Sequence, residues 1–99
     1  MITIIARFGV LPGKDGEFIK HAVDVTRETR KERGNLSYKI LRSEEPDGGF
    51  TFIEEWLNDA AIEQHNSAKH FVKFMDAIKP IIKGDVSIER LSKVPSIFY

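Results

Sequence analysis

The chain has 99 residues, enough for one domain spanning 1–99 and too few for two, and its formal net charge is zero. Lys and Arg are scattered, so there is no basic stripe for nucleic acid, and 41% apolar with 30% charged residues is a globular composition that argues against disorder. The absence of cysteine excludes disulfides, a thiolate nucleophile and thiolate-bound metal, and it fits a reducing cytoplasm.

The opening stretch MITIIARFGV is too short and too interrupted by Arg7 for a membrane span, and it lacks the basic region and cleavage site of a signal peptide. Ile2 to Val10 is β-branched or aromatic with few breaks, which predicts a strand buried on both faces. Pro12-Gly13-Lys14-Asp15-Gly16 is a turn with Asp15 as a candidate N-cap. A helix follows, with Phe18, Ile19, Ala22, Val23 and Val25 at helical spacing. Arg30, Lys31 and Arg33 load its last turn and Gly34 stands where a C′ glycine would end it.

Leu36, Tyr38 and Ile40 alternate with Ser37 and Lys39 in a second strand. Glu45-Pro46-Asp47-Gly48-Gly49 then predicts a hairpin into a third strand, Phe50 to Trp56. Asn58 or Asp59 caps a short helix carrying Ile62 and His65. Ser67 caps the next, where Phe71, Phe74, Met75 and Ile78 form an apolar stripe. Pro80 and Gly84 end it, Val86 to Leu91 is a last strand, and Val94 to Tyr99 is an apolar tail.

The order β-α-β-β-α-α-β predicts an α+β, ferredoxin-like sheet with helices on one face, strands one and three lying parallel through right-handed crossovers. Large apolar groups on both sides of every strand require cover for the second face. A homodimer pressing sheet on sheet supplies it, and the tail Ile97-Phe98-Tyr99 favours that pairing.

Three features bear on chemistry. Phe50, Phe52, Glu54 and Trp56 share one strand face. A carboxylate among aromatics either pairs with a base such as Arg7 or Arg42 at the sheet end or lines a polar spot in a pocket. His65 and His70 would sit about 140° apart on one unbroken helix, but a kink at Asn66-Ser67 can turn both imidazoles to one cavity or let His70 help cap the second helix. Imidazole titrates near neutrality, which suits a general base. His21 lies among charges and reads as exposed, and the first turn of the Phe71/Phe74 stripe can wall a pocket beside Trp56. His65-x4-His70 lacks the spacing of helical zinc ligands and no third ligand is evident, so no metal site is expected. No Gly-rich loop follows a strand, so no dinucleotide site is encoded, and no nucleophile elbow is present.

Glu54-x-Trp56, then His65, then His70-Phe71, at this spacing, resembles the antibiotic-biosynthesis-monooxygenase-like domain, and within it the small quinol monooxygenases, and the likeness runs over essentially the whole chain. The resemblance implies a dimeric α+β barrel with one pocket per subunit. It also implies oxidation of a small aromatic or quinol-type substrate by molecular oxygen without flavin, metal or other cofactor, the deprotonated substrate itself supplying the electrons. Carried onto this chain, His65 or His70 is the base, and Glu54 and Trp56 belong to the motif. Trp56 is then expected to stack the substrate's aromatic ring, and strand position adds Phe52 to that stack, Tyr38 or Arg7 to hold an oxygen, and Phe74 in the wall. Haem-degrading relatives have an Asn on the first strand, a Trp where His65 stands and a ligand near Met75, none of which this chain matches. Two alternatives share the scaffold. One is an isomerase of a small phosphorylated metabolite, with Arg7, Lys69 and Lys73 as clamp; the other is a ligand-binding stress-response subunit without turnover.

Overall fold

The computed structural model describes residues 1–99 as β1 (Ile2–Phe8), α1 (Asp15–Thr29), β2 (Asn35–Arg42), β3 (Phe50–Trp56), α2 (Asp59–Ser67), α3 (Lys69–Ile78) and β4 (Ser87–Ser92). Short 3-10 turns lie at Lys79–Ile81 and Ser96–Phe98. The four strands form one antiparallel sheet in the order β2-β3-β1-β4, the ferredoxin-like α+β arrangement.

The parallel pairing of strands one and three expected from the element order is wrong: β1 and β3 are antiparallel, with Ile4 opposite Glu54. Helix α1 carries the chain from β1 to β2, which runs parallel to β1 but is not its neighbour. The β2–β3 hairpin then folds β3 into the gap between them, and a hairpin reverses direction, so β3 opposes both strands. Nor is β1 buried on both faces within one chain. Ile4, Ala6 and Phe8 are buried beneath the helices, whereas Arg7 on the opposite face is exposed.

On the helix-covered side the period of two places Phe50, Phe52, Glu54 and Trp56 of β3 together, all buried. Phe18 of α1 stacks on Phe50 at 4.7 Å, and Phe8 meets Phe52 edge-on at 5.3 Å. Phe74 of α3 joins the same cluster, 5.7 Å from Phe52, so two helices are pinned to the sheet by one group of rings. Burying Phe18 completely stabilises the fold by about 3 kcal/mol. Arg30 adds a polar tie, donating through Nε and Nη2 to the Tyr38 carbonyl at 3.1 and 2.7 Å.

Several expected caps differ. Lys14, not Asp15, is the N-cap of α1, and no side chain bonds there. Asn58 does cap α2, accepting from the Ala61 N–H at 2.9 Å. Ser67 closes α2 by donating back to the Glu63 and Gln64 carbonyls, while Ala68 is the cap of α3. Ala68 has an extended backbone, ψ 143°, and this one residue breaks the helical region in two. Gly34 is not a left-handed C′ residue. Its place is steric, because a Cβ there would fall inside the Ala61 methyl, so the glycine lets α2 approach the start of β2.

Strand β4 is exposed along its whole length, and the tail residues Ile97, Phe98 and Tyr99 are exposed as well. No helix is long and apolar enough to cross a membrane.

Candidate functional site

A cavity of about 410 Å³ opens between the sheet and the α2–α3 pair. Its floor is the helix-facing side of β1, its wall comes from Ile62, Phe71 and Phe74, and its mouth lies beside the uncovered β4. The break at Ala68 matters here. It turns α3 away from α2 and leaves His65 and Asn66, at the end of α2, in the cavity lining. The polar groups of the lining are Tyr38, Glu54, His65, Asn66 and Arg90.

His65 is almost wholly buried, and its ring packs 4.7 Å from Trp56 and 4.6 Å from Phe71. Its Nδ1 lies 2.7 Å from Glu32 Oε2, and the same oxygen lies 2.7 Å from His70 Nε2. A carboxylate only accepts, so the network puts a proton on His65 Nδ1 and on His70 Nε2. His65 Nε2 is then the basic nitrogen, and it is buried without a hydrogen-bond partner. Burial lowers the imidazole below its ordinary 6.5, against the opposing pull of the Glu32 hydrogen bond and charge. The contact with Glu32 is therefore a hydrogen bond from a neutral ring.

Glu54 accepts from Trp56 Nε1–H at 3.0 Å. It has neither of the basic partners open to it in the sequence, since Arg7 pairs with Glu89 at 3.3 Å and Arg42 reaches Asp15 at 3.5 Å. Burial raises its carboxyl to about 7, with the Trp56 bond opposing and the Glu32 charge adding. Burial likewise pushes the Tyr38 phenol up, helped by the Glu54 charge, so Tyr38 remains a neutral hydroxyl at the cavity.

The structure brings Tyr38, Glu54, His65 and Phe74 to the cavity and separates the other candidates from it. Trp56 and Phe52 are fully buried behind the lining, so Trp56 orders Glu54 and His65 rather than presenting a face to a ligand. His70 lies on the far side of Glu32, in a shallow depression with His21, Asp24 and Lys73. The kink does not aim both imidazoles at one cavity; a carboxylate stands between them. Arg7 points to the opposite face of the sheet and cannot hold a ligand oxygen there. The expected phosphate clamp does not assemble either, because neither Arg7 nor Lys69 nor Lys73 lines the cavity.

Two lining or supporting groups escaped the sequence reading. Glu32 carried a faint signal as the one acid in the run Arg30-Lys31-Glu32-Arg33 near a helix C-terminus, where the dipole disfavours it. Arg90 carried none, since nothing local marks which residue of an edge strand faces a cavity. Glu32, His65 and His70 together offer three ligand atoms within 4.8 Å. Their two N···O contacts of 2.7 Å are hydrogen-bond lengths, shorter than the roughly 3.3 Å between donors around a tetrahedral ion with 2.0–2.1 Å bonds. As it stands, the cluster is a hydrogen-bonded triad.

Comparison with known proteins adds a family. The sequence profile described as "Antibiotic biosynthesis monooxygenase" matches residues 1–77. The Bacillus subtilis (strain 168) protein named "Putative monooxygenase YcnE" is 29% identical over 90 residues, covering 91% of this chain and 95% of that protein. A crystal structure of an antibiotic biosynthesis monooxygenase superimposes with a TM-score of 0.91 at 26% identity, over 96% of this chain and 100% of the other. PA3566 from Pseudomonas aeruginosa superimposes with a TM-score of 0.87 at 27% identity, over 94% and 93% of the two chains.

Proposed function

The chain belongs to the antibiotic biosynthesis monooxygenase family, and from that premise we propose that it is a cofactor-independent monooxygenase of small aromatic, quinol-type substrates. The observation that carries this reading is His65: Nδ1 held by Glu32, Nε2 buried and unpaired, the ring in the wall of an apolar cavity. In that setting Nε2 takes the proton of a substrate hydroxyl, and Glu32 stabilises the imidazolium that forms and fixes the tautomer. The resulting anion is electron-rich enough to reduce oxygen. One oxygen atom is retained on the substrate carbon, and the other leaves as water with two hydrogens from the substrate. Glu54, close to half-protonated at neutral pH, and the Tyr38 hydroxyl are donors for the second substrate oxygen. The apolar wall keeps water from the anion.

Oxygen uptake with a hydroquinone and no added cofactor tests the proposal. Turnover is expected in the wild type and loss of about 10²-fold or more in His65→Gln. Undiminished turnover in that variant overturns the assignment of the base, and conversion of substrate without oxygen uptake turns the reading to an isomerase. Tight ligand binding with no product supports the non-catalytic alternative.

A homodimer is part of the same reading. Ile5 and Ile53 are only half-covered on the open sheet face, Leu41 and Leu91 are exposed beside them, and the apolar tail is bare. Sedimentation at micromolar concentration is the check, and a species of 11.3 kDa alone refutes it. A cytoplasmic location is the reading that the cysteine-free composition supports, and cell fractionation tests it.

A further inference from the structure

The cavity has two chemically different ends. Antiparallel pairing aligns Tyr38, Glu54, Ile4 and Arg90 in one rung across the four strands. Tyr38 and Glu54 are buried at the deep end beside His65, whereas Arg90, on the edge strand, has about half its side chain exposed at the mouth. Two strand spacings separate Glu54 from Arg90, about 10 Å between their backbones. Arg90 is the only Arg or Lys in the lining, and ten of the fourteen lining residues are hydrophobic, Tyr38 with its hydroxyl among them. Its one protein partner, Asp59 of α2, is bonded through Nη2 and is itself largely exposed. That pair engages Nη2 and leaves the other N–H groups of the fork without a protein partner.

We propose that Arg90 anchors an anionic substituent, so that the substrate is a hydroxyarene bearing an acidic group on the side away from the hydroxyl that meets His65. The inference rests on the hydroxyarene reading above and narrows its substrate class. A carboxylate matches the planar fork with two parallel N–H bonds, and a phosphate ester offers the same chemistry. One aromatic ring with a short acidic arm spans the rung, with the hydroxyl at the deep end and the acid at the mouth. The burial that keeps Glu54 from holding a full charge also removes a repulsion that an anionic ligand would otherwise meet. A neutral quinol enters the same cavity but leaves the fork to water.

Anaerobic calorimetry with 2,5-dihydroxyphenylacetate and its methyl ester tests this without requiring turnover. The acid is expected to bind the wild type about 10- to 100-fold more tightly than the ester. Arg90→Gln should abolish that preference by weakening the acid alone, and Arg90→Lys should restore part of it. A phosphate monoester analogue of the same length tells which anion the fork prefers, and preference for either over the ester upholds the anchor. Equal binding of acid and ester to the wild type, or equal weakening of both in Arg90→Gln, overturns it. Acid preference without oxygen uptake leaves the anchor standing and removes the monooxygenase reading instead.

Discussion

Glu54→Gln replaces the buried acid of the cavity with a group of the same shape that does not titrate. The Gln side-chain oxygen can accept the Trp56 Nε1–H bond that Glu54 accepts at 3.0 Å, so the change isolates the charge. Burial lifts the Glu54 carboxyl from an ordinary 4.5 to about 7, and at 1.36 kcal/mol per pH unit that displacement disfavours the ionised folded state by about 3 kcal/mol. The direction follows from proton counts. Below pH 4.5 the carboxyl is protonated in both states and costs nothing. Between 4.5 and 7 the unfolded chain has released its proton and the folded protein has not, so stability falls as pH rises; above 7 the loss is complete. The stability difference between variant and wild type should therefore grow by about 3 kcal/mol in favour of the variant from pH 4.5 to 7.5, all other titrations cancelling. Urea denaturation of both proteins at one fixed concentration, in half-unit pH steps, measures it. A difference that stays flat to within about 0.5 kcal/mol would refute the reasoning and mean that water or a partner group reaches the carboxylate.

Glu32→Gln removes the charge behind His65 while leaving an oxygen able to accept from both imidazoles; kcat should fall by about 10²-fold or more with little change in KM, and steady-state kinetics decide. Trp56→Phe deletes the donor to Glu54, which should raise that carboxyl further and cost about 1–3 kcal/mol, read by carboxyl NMR titration and by denaturation. Gly34→Ala drives a methyl into Ala61 and should destabilise by about 1–3 kcal/mol. The double variant with Ala61→Gly should recover most of that loss, and an additive double variant would show that the contact is not the cause.

Much of the architecture was legible in local pattern. The alternation through Phe50 to Trp56 put Glu54 among aromatics on one face, the hairpin lay at Glu45 to Gly49, and the helical region was expected to break at Asn66-Ser67, one residue short of Ala68. These features depend on neighbours within a few residues, where side-chain period and backbone preference act directly. The direction of β3 was not legible, because it depends on where a hairpin is inserted relative to a crossover already made.

The candidate site divides in the same way. His65 and Glu54 could be named from the chain, but their chemistry could not: it required Glu32 to arrive from 33 residues before His65, and burial to withdraw water from both groups. His65 and His70 are five positions apart, yet packing set one at the cavity and the other behind a carboxylate. Arg7 and Arg90 lie three register positions apart on paired strands, Ser87 opposite Arg7 and Ile4 opposite Arg90, and that odd offset makes them face opposite sides of the sheet. A period of two says which residues share a face; which face closes over a cavity is set by where two helices land, and that is a property of the folded chain alone.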